Sequence, residues 1–160
     1  MGTVAQAFLA VVFLGAAAGK AADYGGFLRT LAGLSWLPLR LARFAARAIP
    51  IAELGLAAAF FLLPKFAAVA ALVMLAVFTT VAITELTAGR HFACGCFGVT
   101  STRGADWTLF ARNGLIAAAG IALIVLPVIR EPGAALVGLA CGFAFLLVQV
   151  GGEALAVGPR

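Results

Sequence analysis

Long apolar runs, broken by short clusters of charge, glycine and proline, organise this chain. The first extends from about Val4 to Gly19 and is closed by Lys20 and Asp23. Roughly 20 apolar residues cross a bilayer core and about 17 is the lower limit. This run reaches the limit with the aliphatic stem of Lys20 lying in the interface. A second run, from Ile49 to Leu63, carries Pro50 where a first helical turn accepts proline, and it stops at Pro64-Lys65. The third follows at once from Phe66 to Ala88, so Pro64-Lys65 is expected to be a tight hairpin. The fourth, Trp107 to Ile129, has Asp106 as its N-cap, and the fifth, Ala134 to Val150, follows the turn Arg130-Glu131-Pro132-Gly133. The expected spans are therefore about 4–20, 49–63, 66–88, 107–129 and 134–150.

Between the first two runs the pattern changes. From Tyr24 to Ala48, Leu37, Leu41 and Phe44 recur at helical spacing while Arg40, Arg43 and Arg47 fall on the other face. This predicts an amphipathic helix in the headgroup region with Trp36 as an interfacial anchor, the alternative being a basic loop. In lipid each span satisfies its own backbone hydrogen bonds, which selects helix. The predicted fold is an all-α membrane protein, a bundle of four to five transmembrane helices with an amphipathic interfacial helix between spans one and two. No polar linker divides residues 1–160, so a single transmembrane domain is expected.

Composition supports the membrane class. The chain is 64% hydrophobic and 11% charged, with a mean hydropathy of +1.15, against about 45–50% apolar and about 25% charged residues in soluble domains. Its net charge of +5 is strewn between apolar runs instead of forming a stripe on a polar domain, which argues against nucleic acid. The N-terminus lacks the basic segment of a signal peptide, and its apolar run is expected to continue as a span. Gly138 and Gly142 give the fifth run the small-residue spacing of close helix packing.

Alternation of spans gathers particular residues on one face. Lys20 ends span one, Glu53 begins span two, Glu85 and Arg90 end span three, and Arg112-Asn113 begin span four. The loop from Gly89 to Asp106 belongs to the same face. That side holds Lys20, Arg29, Arg40, Arg43, Arg47, Arg90, Arg103, Arg112 and Arg160, against Lys65 and Arg130 opposite. The imbalance favours a cytoplasmic location for it.

The loop carries the candidate chemistry, His91-Phe92-Ala93-Cys94-Gly95-Cys96-Phe97-Gly98. Thiols at i and i+2 close a small disulfide ring when the backbone turns, which Gly95 permits. Such a ring is strained and is expected to exchange readily. Arg90, Arg103 and Arg112 would raise the thiolate fraction, and His91 offers a base or cation. Two alternatives stay open: a Cys94/Cys96 site for a soft metal such as Cu(I) or Hg(II), in a transporter or chaperone, and a tight turn with two small apolar side chains, in a non-catalytic membrane subunit. Cys141, alone in span five, is expected to be a buried packing residue. Arg112 is expected to pair with one of the two span carboxylates, Glu53 or Glu85. A Glu53–Arg112 pair would lock the helices at the base of the loop, with a proton relay as the alternative, and Asn113 is expected to bond between helices.

Taken together, Gly19-Lys20, Ile49-Pro50 with Glu53-Leu54, the run Cys94-Gly95-Cys96-Phe97-Gly98 and Arg112-Asn113 resemble the MauE family, grouped with DoxX-type redox-associated membrane proteins. The resemblance runs from about Val4 to Val128 and is weakest in span five. It implies a multi-pass protein of the bacterial plasma (inner) membrane, usually paired with a thioredoxin-like protein. In methylamine utilisation the family assists maturation or export of the disulfide-rich small subunit of methylamine dehydrogenase. It implies Cys94 and Cys96 as the reactive residues, with Gly95, Phe97, Gly98, His91, Lys20, Glu53, Arg112 and Asn113 in support. A redox-active Cys94–Cys96 disulfide is the one cofactor-like group expected. Relay of electrons across the membrane would need a second thiol pair or a quinone; Cys141 supplies no pair, and the quinone stays open.

Overall fold

The computed structural model describes residues 1–89, 107–128 and 131–156. Within them the chain forms helices and no strand: α1 (Gly2–Ala22), α2 (Tyr24–Ala32), α3 (Leu39–Leu62), α4 (Pro64–Thr87), α5 (Trp107–Val125) and α6 (Pro132–Ala156). Helices α1, α3, α4 and the Pro132–Gln149 part of α6 are long and apolar enough to cross a membrane. The 19 residues of α5 extend about 28 Å, close to the thickness of a hydrocarbon core. The protein is an all-α, multi-pass membrane bundle, as the run pattern predicts.

Helix α1 is the hub. It packs against α3, α5 and α6, and Leu9 and Val12 are sealed in the core with Phe60 of α3, Ala68 of α4 and Leu123 of α5. Contacts fix the directions. Gln6 meets Phe60 and Lys20 meets Glu53, so α1 and α3 run antiparallel. Asn113 meets Thr79 and Gly120 meets Leu72, so α4 and α5 do as well. Val4 meets Gly138 and Val11 meets Gly142, so α6 returns parallel to α1. One end of the bundle thus holds the close of α1, the start of α3, the close of α4 and the start of α5.

The glycine spacing on α6 is a true contact. A Cβ on Gly138 would lie 2.4 Å from the Val4 carbonyl oxygen, and one on Gly142 would lie 2.8 Å from Val11 Cβ. Their absence lets the two backbones approach. Cys141 is exposed on the outer side of α6, contrary to the buried position expected. With 3.6 residues per turn it points about 100° away from Gly142, off the face that meets α1.

The second correction concerns α3. The sequence suggests a surface helix to Ala48 and a new span opening at Ile49-Pro50. Instead α2 ends at Ala32, Gly33 to Pro38 form a bend, and α3 continues from Leu39 through Pro50. An interior proline removes the bond to the carbonyl of Ala46. The helix persists because its buried face, Ala42, Ala46, Glu53, Ala57 and Phe60, keeps helical register on both sides of Pro50. The amphipathic element is the shorter α2, whose Phe27 and Leu31 pack with Ala42 and Ala46 on α3.

The connection between α3 and α4 is as tight as the sequence suggests. Leu63 alone separates them, and Pro64 is the first residue of α4. Proline leaves the Phe60 carbonyl without its usual donor four residues on. Gln6 supplies one from α1, Nε2 donating to the Phe60 oxygen at 2.8 Å. Helix α6 is longer than the span expected, and the proposed Asp106 cap lies outside the described residues.

Candidate functional site

Lys20, Glu53, Arg112 and Asn113, which the sequence places on one membrane face, line one cavity. Its other walls are Val12, Phe13 and Ala16 of α1, Met74, Leu75 and Phe78 of α4, and Ile116 of α5. The cavity measures about 40 Å³, space for roughly three water molecules at about 10–15 Å³ each. His91, Cys94, Gly95, Cys96, Phe97 and Gly98 lie outside the described residues. The segment carrying them leaves α4 beyond Gly89 and rejoins at Trp107, at the cavity's end of the bundle.

The centre of the site is an ion pair. Lys20 Nζ donates to both oxygens of Glu53, at 2.7 Å to Oε1 and 2.9 Å to Oε2. Lys20 is 1% exposed and Glu53 2%. Side chains lean toward the N-terminus of their own helix. On antiparallel α1 and α3, Lys20 and Glu53 therefore lean toward one another, and the long lysine stem closes the remaining gap. The ammonium sits 5.6 Å from the Phe27 ring centroid and 5.9 Å from that of Phe78, within the range of a cation–π contact. Phe27 belongs to α2, so the short amphipathic helix covers the pair from the membrane-surface side.

Of the two carboxylates expected as candidates for Arg112, Glu53 has a different partner. Glu53 has Lys20 as its partner, with both carboxylate oxygens engaged, and not Arg112. Arg112 lines the same cavity from α5, its Nε and Nη2 buried, and its charge acts on Lys20. The two cations lie at one level of the bundle. Which of them meets Glu53 is decided by helix rotation, and α1 turns Lys20 toward α3. Asn113 bonds between helices as anticipated, Nδ2 donating to Thr79 Oγ1 at 3.0 Å.

Several contributors escape sequence reasoning. Thr79 is one of several threonines in an apolar run, and only the fold selects it as Asn113's partner. Phe27 and Phe78 read as ordinary apolar positions. Gln6 is a polar residue two positions into the first run; a polar side chain among apolar ones was an available signal that it has a buried partner. Glu85, by contrast, is one the sequence does single out, and it is buried near the end of α4.

No curated protein and no solved structure matches this chain. The match to the family described as "Methylamine utilisation protein MauE" covers residues 1–126, from α1 to the end of α5 with every residue that lines the cavity, and the chain belongs to the MauE family.

Proposed function

We propose that this protein is a thiol–disulfide protein of the bacterial plasma membrane that uses Cys94 and Cys96 to support disulfide formation, maturation or export of a partner protein. Its redox companion is a thioredoxin-like protein, and the family name points to methylamine dehydrogenase as the kind of client. The observation behind this reading is the convergence of Lys20, Glu53, Arg112 and Asn113 around one cavity, at the end of the bundle to which the Cys-Gly-Cys segment is attached.

Lys20–Glu53 ties α1 to α3, and Asn113–Thr79 ties α4 to α5. The two helices that flank the cysteine segment are thereby held at fixed separation. Arg112 adds a cation at that end, which favours thiolate over thiol. Gly95 allows the turn between the sulfurs, while Phe97, Gly98 and His91 complete the segment. Exchange then needs no further oxidant. A client thiolate attacks the Cys94–Cys96 disulfide to form a mixed disulfide, and the client's second thiolate resolves it. One disulfide is formed and one is lost, with the electron pair left on Cys94 and Cys96 as thiolates that take up two protons. The disulfide form of the thioredoxin-like protein reoxidises the pair by the same exchange, its own disulfide being reduced to the dithiol.

Titration of the purified protein with defined thiol–disulfide buffers, read by mass-tagged alkylation, tests this. A two-electron couple that disappears in both Cys94→Ser and Cys96→Ser is expected. Stoichiometric binding of Cu(I) or Hg(II) by two thiols that never oxidise to a pair would refute the exchange reading.

A further inference from the structure

The outward face of α3 changes character along its length. Arg40, Arg43 and Arg47, at helical spacing, are all exposed, and on the same face beyond them come Ile51, Leu54, Phe61 and Leu62, also exposed. The apolar part is surface that meets acyl chains. The basic part continues it without a break, so it meets the headgroups of the same lipid layer. Among the described residues the three arginines make no side-chain hydrogen bond and no ion pair.

Their depth is specific. The α3–α4 hairpin carries Lys65 next to Pro64, and a charge at the end of an apolar span sets the far boundary of the hydrocarbon core close to it. At 1.5 Å per residue Arg47 lies about 22 Å from Leu62 along the axis, Arg43 about 28 Å and Arg40 about 33 Å. A hydrocarbon core is about 30 Å thick. Arg47 therefore starts inside the core, Arg43 at its edge and Arg40 in the headgroup layer. An outward-facing guanidinium at the depth of Arg47 reaches up for an anionic oxygen. Arginine's planar fork fits a phosphodiester in two-point contact. Phe44, expected on the face opposite these arginines, is exposed beside them because it lies only about 40° round the helix from Arg40, and it offers apolar contact to the upper acyl chain.

We infer that Arg40, Arg43 and Arg47 form a site for an anionic phospholipid headgroup on the outer face of α3. The occupant is a lipid and not a soluble anion, because the arginine nearest the core is reached only from within the membrane. Each juxtamembrane basic residue contributes about 1 kcal/mol toward anionic lipid, a factor of about 5. Three give a preference of about 100-fold over a zwitterionic lipid.

Trp36, exposed just ahead of α3, reports on the site in a Trp107→Phe background. The protein is reconstituted in dibrominated phosphatidylcholine, which quenches Trp36, and non-brominated phosphatidylglycerol is added. Fluorescence recovery at phosphatidylglycerol fractions far below the mole-fraction expectation supports the site. The triple variant R40Q/R43Q/R47Q is expected to lose that preference, and each single variant about fivefold of it. R40K/R43K/R47K, which keeps charge but not the fork, is expected to fall between. Circular dichroism and the unfolding midpoint check that the variants are folded. Recovery that only tracks mole fraction, or a preference unchanged in the folded triple glutamine variant, would overturn the assignment. So would loss of the preference on adding millimolar inorganic phosphate at constant ionic strength, which would show a free anion as the ligand. Full retention by the lysine variant would reduce the site to diffuse charge and overturn the two-point contact.

Discussion

Breaking the Lys20–Glu53 pair from one side is expected to be far more damaging than removing it whole. At separations of 2.7 and 2.9 Å the gross attraction is about 6 kcal/mol at an effective dielectric of about 20. Stripping water from the two ions costs several kcal/mol each, so the net contribution of the pair is small. Glu53→Gln keeps the shape of the side chain but leaves the Lys20 ammonium without its counter-charge in a site where it is 1% exposed. Lys20→Met does the converse to Glu53, and also removes the cation–π contacts with Phe27 and Phe78. Each single change is expected to cost about 3–5 kcal/mol, the range for one-sided removal of a buried ion. The double variant K20M/E53Q, with an amide facing a thioether, is expected to lie within about 1 kcal/mol of the parent. The resulting coupling is several kcal/mol, well above the typical range for contacting residues that are not buried ions.

The measurement is reversible unfolding of the purified protein in mixed micelles, followed by helical circular dichroism as the fraction of denaturing detergent rises. Four proteins complete the cycle. Two outcomes would refute the reasoning. Single variants that each cost less than about 1 kcal/mol would show that water or another group compensates the remaining charge. A double variant as damaged as the sum of the singles would show that the two side chains act through unrelated contacts.

The same assay serves two further expectations. Gln6→Leu is expected to cost about 1–3 kcal/mol, because Pro64 offers the Phe60 carbonyl no N–H in Gln6's place. Pro64→Ala restores that N–H, so the loss should largely vanish in Q6L/P64A; a loss unchanged there would assign it to packing instead. Gly138→Leu is expected to cost about 3 kcal/mol or more by forcing α6 off α1, since even a Cβ would lie 2.4 Å from the Val4 oxygen. Gly133→Ala, where a Cβ meets nothing within 4 Å, should be neutral, and equal effects at the two glycines would refute the close-packing account.

Much of this architecture is legible in the chain because lipid imposes simple rules. Apolar run lengths give the spans and alternation gives the shared side, which is enough to bring Lys20, Arg112 and Asn113 together before any coordinates. Glu53 meets them from mid-way along α3, because that helix opens at Leu39 and not at Ile49. Rotation about each helix axis is not legible in the same way. Lys20 and Arg112 stand at one level, and only the packing of α1 against α6 and α3 decides which of them Glu53 meets. Cys141 shows a rotation that was available: Gly138 and Gly142 already define the inner face of α6, and Cys141 is off it. Pro50 misleads for a different reason. A local rule about proline competes with a buried face that runs from Ala42 to Phe60, and the long face wins.

The position of the ion pair follows from what α1 is made of. Its large buried side chains, Phe8, Leu9, Val11, Val12 and Phe13, stop short of the end that holds Lys20, where Ala16 and Ala17 are the buried apolar residues. At that end small side chains let neighbours approach closely but offer few knobs to stop one helix sliding or turning on another. Two polar contacts near opposite ends of α1 remove that freedom: Gln6 to the Phe60 carbonyl, and Lys20 to Glu53. A slip of one residue turns Lys20 by about 100° and carries its ammonium away from Glu53, leaving both ions in a poor environment. A pair with little net stability thus imposes a large penalty on wrong arrangements, the best-attested use of buried charge. The Lys20 pin is also the one at the cavity's end of the bundle. Under the proposed function the cysteine segment needs its flanking helices, α4 and α5, in one fixed arrangement, and α1 packs against α5 directly and reaches α4 through α3.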